Sequence, residues 1–170
     1  MTKKEVATIL SRGSSHVYPI QGIPIGVSKF QAFLAMAPIL HGRLYWYALS
    51  KAYTGSDDLF SYRHDVRLAF ESSEPEREYL MIKSERTRLE NLPNKLKIFR
   101  GMTERERDSK EFGLSWTLDR EVAEFLATKY PRNISTQGEK KLVHEIEINK
   151  SDVIALFASR RESEIIYLSK

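Results

Sequence analysis

The spacing of hydrophobic residues changes character once along the chain. From about residue 27 to residue 91, apolar residues recur at helical intervals. From about residue 95 they alternate with polar residues or form short β-branched runs, as strands do. Residues 1–26 are punctuated by glycine and proline after a short apolar run, and we predict irregular structure for them. Because the strand-like runs cluster late, the pattern predicts an α+β fold in which an N-terminal helical cluster packs on a mainly antiparallel sheet.

Four helices are predicted in the first half, each from one apolar stripe. The first ends at Pro38 and the second before Gly55, whereas Ser56 or Asp57 can cap the third. The segment from Ser73 to Glu76 combines the spacing of a capping box with an early proline, which predicts the start of the fourth. The stripes comprise Phe30, Phe33, Leu34 and Ala37, then Leu40, Leu44, Tyr47 and Ala48, then Leu59, Arg63, Val66, Ala69 and Phe70, and finally Tyr79, Ile82, Arg86 and Leu89.

The second half predicts five strands and one helix. Asp119 is the expected cap of that helix, whose apolar face carries Val122, Phe125, Leu126 and Tyr130. Since no linker separates the halves, we predict a single domain over residues 1–170, mainly helical over 1–94 and strand-rich over 95–170. The strands are predicted over residues 95–100, 114–117, 141–148, 152–157 and 165–168.

Composition narrows the classes of function. The chain is 41% hydrophobic and 29% charged, which is typical of a soluble globular protein. It has no cysteine, which excludes thiolate nucleophiles and thiolate metal sites and suits a cytoplasmic location. The four histidines lack metal-ligand spacing, so no metal is expected. A net charge of +4 with acids interleaved among bases favours solvated charged faces over a nucleic-acid groove, and no apolar run is long enough to span a membrane.

Two acids stand at the head of the last predicted strand. Glu162 and Glu164 are two residues apart, so they share a face with Ile166 and Leu168 if the strand begins early enough. An ordinary strand would continue that row with another hydrophobic residue. The acids therefore suggest that the row leaves the core and enters a cleft.

Two further polar features lie at the ends of predicted strands. Arg100 ends the first strand directly before Gly101, and Ser115 and Thr117 share one face of a short strand around Trp116. Taken singly, each feature has an ordinary structural explanation: a salt-bridged arginine, common strand residues, or, for the two glutamates, a solvated loop. Their order along the chain is what suggests a shared site.

That order resembles the mono-ADP-ribosyltransferases of the arginine–serine–glutamate type. The matching segments are Phe99-Arg100-Gly101, Ser115-Trp116-Thr117 and Glu162-Ser163-Glu164, and the resemblance covers roughly residues 95–170. The family's usual Ser-Thr-Ser is here Ser-Trp-Thr, which keeps hydroxyls at the outer positions. The helical half is similar to the N-terminal extension of small bacterial and phage members. The resemblance implies a split-sheet ADP-ribosyltransferase core.

The resemblance also implies an activity, with NAD as a substrate and a host or cellular protein as the partner. Glu164 is then the catalytic carboxylate, stabilising positive charge on the ribose as in glycoside hydrolysis. Glu162 receives the acceptor, most often an arginine side chain. NAD-binding roles fall to Arg100, whose fork holds anionic oxygens, to Gly101, to Thr117, and to Ser115, which also holds Glu164.

Two other functions remain open from the sequence. Water can replace the protein acceptor, which would make the protein an NAD glycohydrolase. The same fold can also serve as a non-catalytic module that binds NAD or a host protein. A toxin, a phage effector and a housekeeping modifier are all compatible with the resemblance.

Overall fold

The computed structural model describes residues 1–12, 28–56, 59–128, 138–158 and 163–169, with the backbone alone at Arg12. The chain divides into two compact units, Met1–Ile82 and Lys83–Lys170. The division falls about a dozen residues before the point at which the hydrophobic period changes, so one helix, Lys83–Glu90, belongs to the unit that holds the sheet. That the units form one domain stays a prediction. Among the described residues, no helix is long and apolar enough to cross a membrane.

The described residues of the first unit form four α-helices, and the first of them contradicts the predicted irregular start. Val6 and Leu10 are buried on one face of this helix, and their spacing of four residues is helical. The glycine and proline residues begin only at Gly13, and residues 13–27 lie outside the described part of the chain. The helices are α1 (Lys3–Arg12), α2 (Lys29–Met36), α3 (Arg43–Thr54) and α4 (Arg63–Phe70), with 3-10 turns at Ala37–Ile39, Phe60–Tyr62 and Arg77–Leu80.

Aromatic rings form the core of this unit around α3. The predicted stripes of α2 and α4 are buried at Phe30, Phe33, Val66, Ala69 and Phe70. The predicted stripe of α3 is wrong at Leu44 and Tyr47, which are only half-buried. Helix α3 buries a neighbouring face because it is packed on two sides, with Tyr45 5.4 Å from Phe33 and Tyr53 5.1 Å from Phe70 between ring centroids. That face comprises Tyr45, Trp46, Ala48, Leu49, Ala52 and Tyr53.

The acids predicted to start the fourth helix instead cap α3. Glu74 Oε2 accepts a hydrogen bond from the Gly42 N–H at 2.7 Å, and Glu76 Oε2 accepts one from the Arg43 N–H at 3.1 Å. The Gly42 N–H, and then His41, lower the pKa of the Glu74 carboxyl. These bonds satisfy amide groups that the start of a helix leaves without partners. Glu76 is left-handed (φ 63°), and the predicted α-helix does not start there; a 3-10 turn follows instead.

The predicted fourth helix is therefore interrupted. The 3-10 turn at Arg77–Leu80 comes first, and α5 (Lys83–Glu90) follows after an extended Met81. Ile82, placed on the predicted apolar stripe, is 57% exposed. The predicted cap of the third helix is also different, because Ser56 Oγ accepts the Phe30 N–H of α2 at 3.1 Å. Asp57 lies outside the described residues.

The second unit is built on a five-stranded sheet in which every neighbouring pair is antiparallel, which confirms the α+β class. The strands are β1 (Lys95–Thr103), β2 (Ser115–Thr117), β3 (Lys141–Asn149), β4 (Val153–Phe157) and β5 (Glu164–Tyr167), in the order β3-β1-β2-β5-β4. The helices α6 (Glu104–Ser109) and α7 (Arg120–Thr128) connect them. Short β2 thus lies at the centre of the sheet, between the strands that carry Arg100 and Glu164.

Helix α7 packs closely on β1 through small residues. A Cβ added at Gly101 would lie 2.4 Å from the Ala123 carbonyl oxygen and 2.7 Å from the Ala127 nitrogen. Ala123 and Ala127 are buried, whereas Phe125 of the predicted apolar face is 49% exposed. That prediction was wrong because so close an approach leaves no room for a large side chain between helix and strand. Tyr130 lies outside the described residues.

Helix α5 packs beside β4 and holds both flanks of the segment between β4 and β5. Glu85, 5% exposed, accepts the Ala158 N–H at 3.0 Å through Oε1. Arg88 Nη2 donates to Ser163 Oγ at 2.5 Å. These two residues are three apart, so they lie on one face of α5. The helix therefore fixes the point where β4 ends and the point where β5 begins.

Candidate active site

A serine and a glutamate meet on one face of the central strands. Thr117 lies opposite Glu164 and Ser115 lies opposite Ile166, so Ser115 and Glu164 are diagonal neighbours on the same face. The Ser115 hydroxyl donates a hydrogen bond to Glu164 Oε1 at 2.6 Å. A glutamate has the reach to span a diagonal of about 7–8 Å between neighbouring strands, which explains how the contact forms. Both residues are half-buried.

Arg100 lies against the same serine through the backbone. Its Nη1 donates to the Ser115 carbonyl oxygen at 2.6 Å, and its Nε donates to Glu106 Oε1 at 2.8 Å. Leu96 and Ile98, which precede it in the same parity, are buried as the alternation predicts. The ion pair with Glu106 is the ordinary structural explanation of Arg100, and it is present together with the contact to Ser115. Arg100 and Glu164 therefore both contact Ser115, Arg100 through the backbone carbonyl and Glu164 through the hydroxyl.

Glu106 is a member of this network that the sequence reasoning missed. Its Oε1 also accepts the Gly113 N–H at 3.0 Å, and its own N–H donates to Thr103 Oγ1 at 3.1 Å. The run of alternating charges at residues 104–108 looked like a solvated face. The signal for a different role was the capping-box spacing from Thr103 to Glu106, which places the glutamate in the first turn of α6.

Gly101 and Thr117, predicted as NAD contacts, have packing contacts in the structure. Gly101 lies under α7 in the close approach described above. Thr117 is 4% exposed, and its Oγ1 accepts the Asp119 N–H at 3.1 Å. Asp119 in turn caps α7 through the Glu121 N–H at 2.8 Å, as predicted. Both residues hold α7 in place beside the site, and their direct contact with NAD stays a prediction.

The tryptophan at the centre of Ser115-Trp116-Thr117 points away from the serine and the glutamate. It is 2% exposed, and its Nε1 donates to the Gly113 carbonyl oxygen at 3.1 Å. Phe112 stacks on His144 at 5.3 Å between ring centroids, and Trp116 lies edge-on to Phe112 at 5.8 Å. His144 is opposite Arg100 in the β1–β3 register. Since successive strand residues face opposite ways, the tryptophan at the central position lies on the face opposite to Ser115 and Glu164.

Glu162, the predicted acceptor residue, lies outside the described residues, as do Arg160 and Arg161. The next residue, Ser163, is described, and its carbonyl oxygen accepts the Leu118 N–H at 3.1 Å. Together with the Arg88 contact, this bond fixes the start of β5 and hence the position of Glu164.

Comparisons with protein-family models, with curated proteins and with solved structures give no match to this chain. The functional assignment therefore rests on the geometry of the site and on the sequence motifs.

Proposed function

We propose that the protein transfers ADP-ribose from NAD to an arginine side chain of a target protein and releases nicotinamide. The observation that carries the proposal is the hydrogen bond from Ser115 to Glu164, made while Arg100 contacts the same serine. The three residues are separated by 15 and 49 positions along the chain, so local structure alone does not explain their meeting. Their types match the three tasks of the reaction: holding an anion, orienting a carboxylate and stabilising a cation.

The carboxylate of Glu164 acts on the ribose. When the bond from the ribose carbon to the nicotinamide nitrogen breaks, positive charge develops on the sugar, as in glycoside hydrolysis. A preorganised carboxylate stabilises that charge without reorganising during the reaction. Ser115 supplies the preorganisation, because a hydrogen bond to one oxygen fixes the plane of the carboxylate.

Arg100 binds the donor, NAD, and Glu162 binds the arginine of the target protein that accepts the ADP-ribose. Arg100 binds the pyrophosphate of NAD through charge-assisted hydrogen bonds. Glu162 orients the guanidinium of the acceptor, whose nitrogen forms the new bond to the ribose carbon as the bond to the nicotinamide nitrogen breaks. Late in the reaction, the Glu162 carboxylate takes the proton from that nitrogen. The guanidinium is not deprotonated beforehand, because its pKa lies far above neutral pH.

The test follows label from the adenylate of NAD into proteins of a cell lysate and measures nicotinamide release in parallel. Glu164→Gln is expected to lower both rates by at least about a hundredfold. The matched control is Glu147→Gln, which makes the same change at an exposed residue of the sheet. A folded Glu164→Gln protein with the wild-type rate contradicts the site. Nicotinamide release that ignores protein acceptors indicates a glycohydrolase, and NAD binding without turnover indicates a non-catalytic module.

A further inference from the structure

We propose that Glu106 is a positioning residue that aims the Arg100 guanidinium at the anionic part of the substrate. The inference rests on the proposed function and adds a residue and a mechanism to it. Glu106 Oε1 accepts two hydrogen bonds, from Arg100 Nε at 2.8 Å and from the Gly113 N–H at 3.0 Å. One carboxylate oxygen thereby joins the strand that carries Arg100 to the loop that leads into β2.

The two contacts of Arg100 fix its orientation. A guanidinium is planar, so a bond at Nε to Glu106 and a bond at Nη1 to the Ser115 carbonyl together determine where its remaining N–H groups point. Those N–H groups, on Nη1 and Nη2, have no hydrogen-bond partner among the described residues. They form the edge that remains for an anionic oxygen of a ligand.

Gly113 makes this orientation possible. A Cβ at this position would lie 2.3 Å from Nη2 and 2.7 Å from Cζ of Arg100. The guanidinium therefore occupies the space in which any other residue would place its side chain. Gly113 contributes twice, because its N–H also anchors the carboxylate that holds the arginine.

The position and the charge of Glu106 have opposite effects on an anionic ligand. Its hydrogen bonds orient Arg100, whereas its negative charge partly neutralises Arg100 and repels a pyrophosphate. The pair is only 22% and 23% exposed, so solvent screens this repulsion incompletely. Glutamine keeps the accepting oxygen and removes the charge, whereas alanine removes both, so the two substitutions separate the effects.

The first experiment measures KM for NAD and kcat in the chain of residues 1–170. Glu106→Ala is expected to raise KM roughly tenfold with little change in kcat, as the loss of one charge-assisted hydrogen bond implies. Glu106→Gln is expected to keep KM at or below the wild-type value. In an Arg100→Ala background, Glu106→Ala should have no further effect, since the residue acts through Arg100. An unchanged KM in Glu106→Ala, or effects that multiply in the double variant, would overturn the proposal.

A second measurement, made without NAD, tests whether Glu106 holds the Arg100 side chain. The Nε–H of Arg100 should give a slowly exchanging NMR signal in the wild-type protein and in Glu106→Gln, and it should lose this protection in Glu106→Ala. An equally protected signal in Glu106→Ala would also overturn the proposal. A wild-type protein that neither binds nor consumes NAD rules out the proposed function, and the NMR result still shows whether Glu106 holds Arg100.

Discussion

Ser115 and Glu164 are diagonal neighbours across the β2–β5 pair, and the serine hydroxyl donates a 2.6 Å hydrogen bond to the carboxylate. Ser115→Ala is expected to lower kcat roughly ten- to a hundredfold, since a hydrogen bond to a charged group contributes about 1.5–3 kcal/mol. KM for NAD should change less, because the substitution leaves Arg100 and its carbonyl contact in place. Steady-state rates of nicotinamide release measure both quantities.

The control for this variant is Thr117→Val, which removes a hydroxyl from the same short strand. That hydroxyl accepts the Asp119 N–H, so its loss should lower the free energy of unfolding by about 1 kcal/mol while kcat is largely kept. Equal losses of kcat in the two variants would mean that Ser115 acts through the stability of β2, not through Glu164.

Substitutions of Glu162 and Glu164 should affect different activities. Glu162→Gln is expected to remove transfer to arginine and to retain nicotinamide release with water as the acceptor, whereas Glu164→Gln removes both. In the proposed reaction, Glu164 stabilises the ribose cation whichever acceptor attacks it, while Glu162 orients one kind of acceptor. Mass spectrometry of lysate proteins and chromatography of free nicotinamide measure the two activities. Arginine labelling that persists in Glu162→Gln contradicts the acceptor role.

Two glycines of this unit should respond differently to alanine. Gly101→Ala is expected to lower the free energy of unfolding by about 2 kcal/mol, because its Cβ would meet the backbone of α7, which cannot yield without moving the helix. Gly113→Ala would meet only the end of the Arg100 side chain, so it should chiefly raise KM for NAD. Urea unfolding and steady-state kinetics on both variants test whether Gly101→Ala chiefly lowers stability and Gly113→Ala chiefly raises KM. A stability loss of the same size in both contradicts it.

Glu74 should make the first unit sensitive to acid. The Gly42 N–H is the larger cause of its lowered pKa, so the folded state binds a proton there less readily than the unfolded chain does. Its stabilising contribution is therefore present above the ordinary value of 4.5 and is lost as the pH falls through the lower folded pKa. Glu74→Gln should thus lower the urea midpoint at neutral pH and match the wild-type protein in acid.

The matched control is Glu71→Gln, which alters an exposed pair with Arg67 one turn away. Such surface pairs contribute little, so its midpoint should stay close to the wild-type value at both pH extremes. A difference between Glu74→Gln and the wild-type protein that persists unchanged in acid would show that the carboxylate charge is not what caps α3.

Sequence patterns predicted most elements and fewer of the faces they bury. Phe30 and Phe33 were assigned to the core correctly, and Phe33 packs there against Tyr45 of α3. Phe125 was assigned wrongly because α7 approaches β1 at a glycine, and periodicity alone does not show that Ala123 and Ala127 are the residues in contact. Helix α1 was missed because Val6 and Leu10 supply only two buried positions before the glycine-rich segment.

Residues of the candidate site were predictable where the residue type itself indicates a chemical role. They were not predictable where their position depends on the exact end of a strand. The motifs selected Arg100, Ser115 and Glu164, and the structure brings these three together. Glu106 was missed because one acid within a run of alternating charges has no distinguishing periodicity. Its importance depends on β1 continuing as far as Thr103, three residues beyond the predicted end of the strand. When the predicted end of a strand is wrong by three residues, the sequence does not show which side chains of the next helical turn contact the sheet.

The contacts of α5 determine where this chain can be shortened. The hydrophobic pattern of the chain suggests a cut near residue 94, where helical spacing gives way to strands. Yet Glu85, which precedes that cut, accepts the Ala158 N–H. Arg88, which also precedes it, donates to Ser163. A shortened protein that begins at Lys95 would leave the part-buried Ala158 N–H without its acceptor, at about 1–3 kcal/mol. It would also remove the hydrogen bond from Arg88 to Ser163, the residue next to Glu164. A fragment tested for the proposed activity must therefore begin no later than Lys83, and loss of activity in a shorter one says nothing about chemistry.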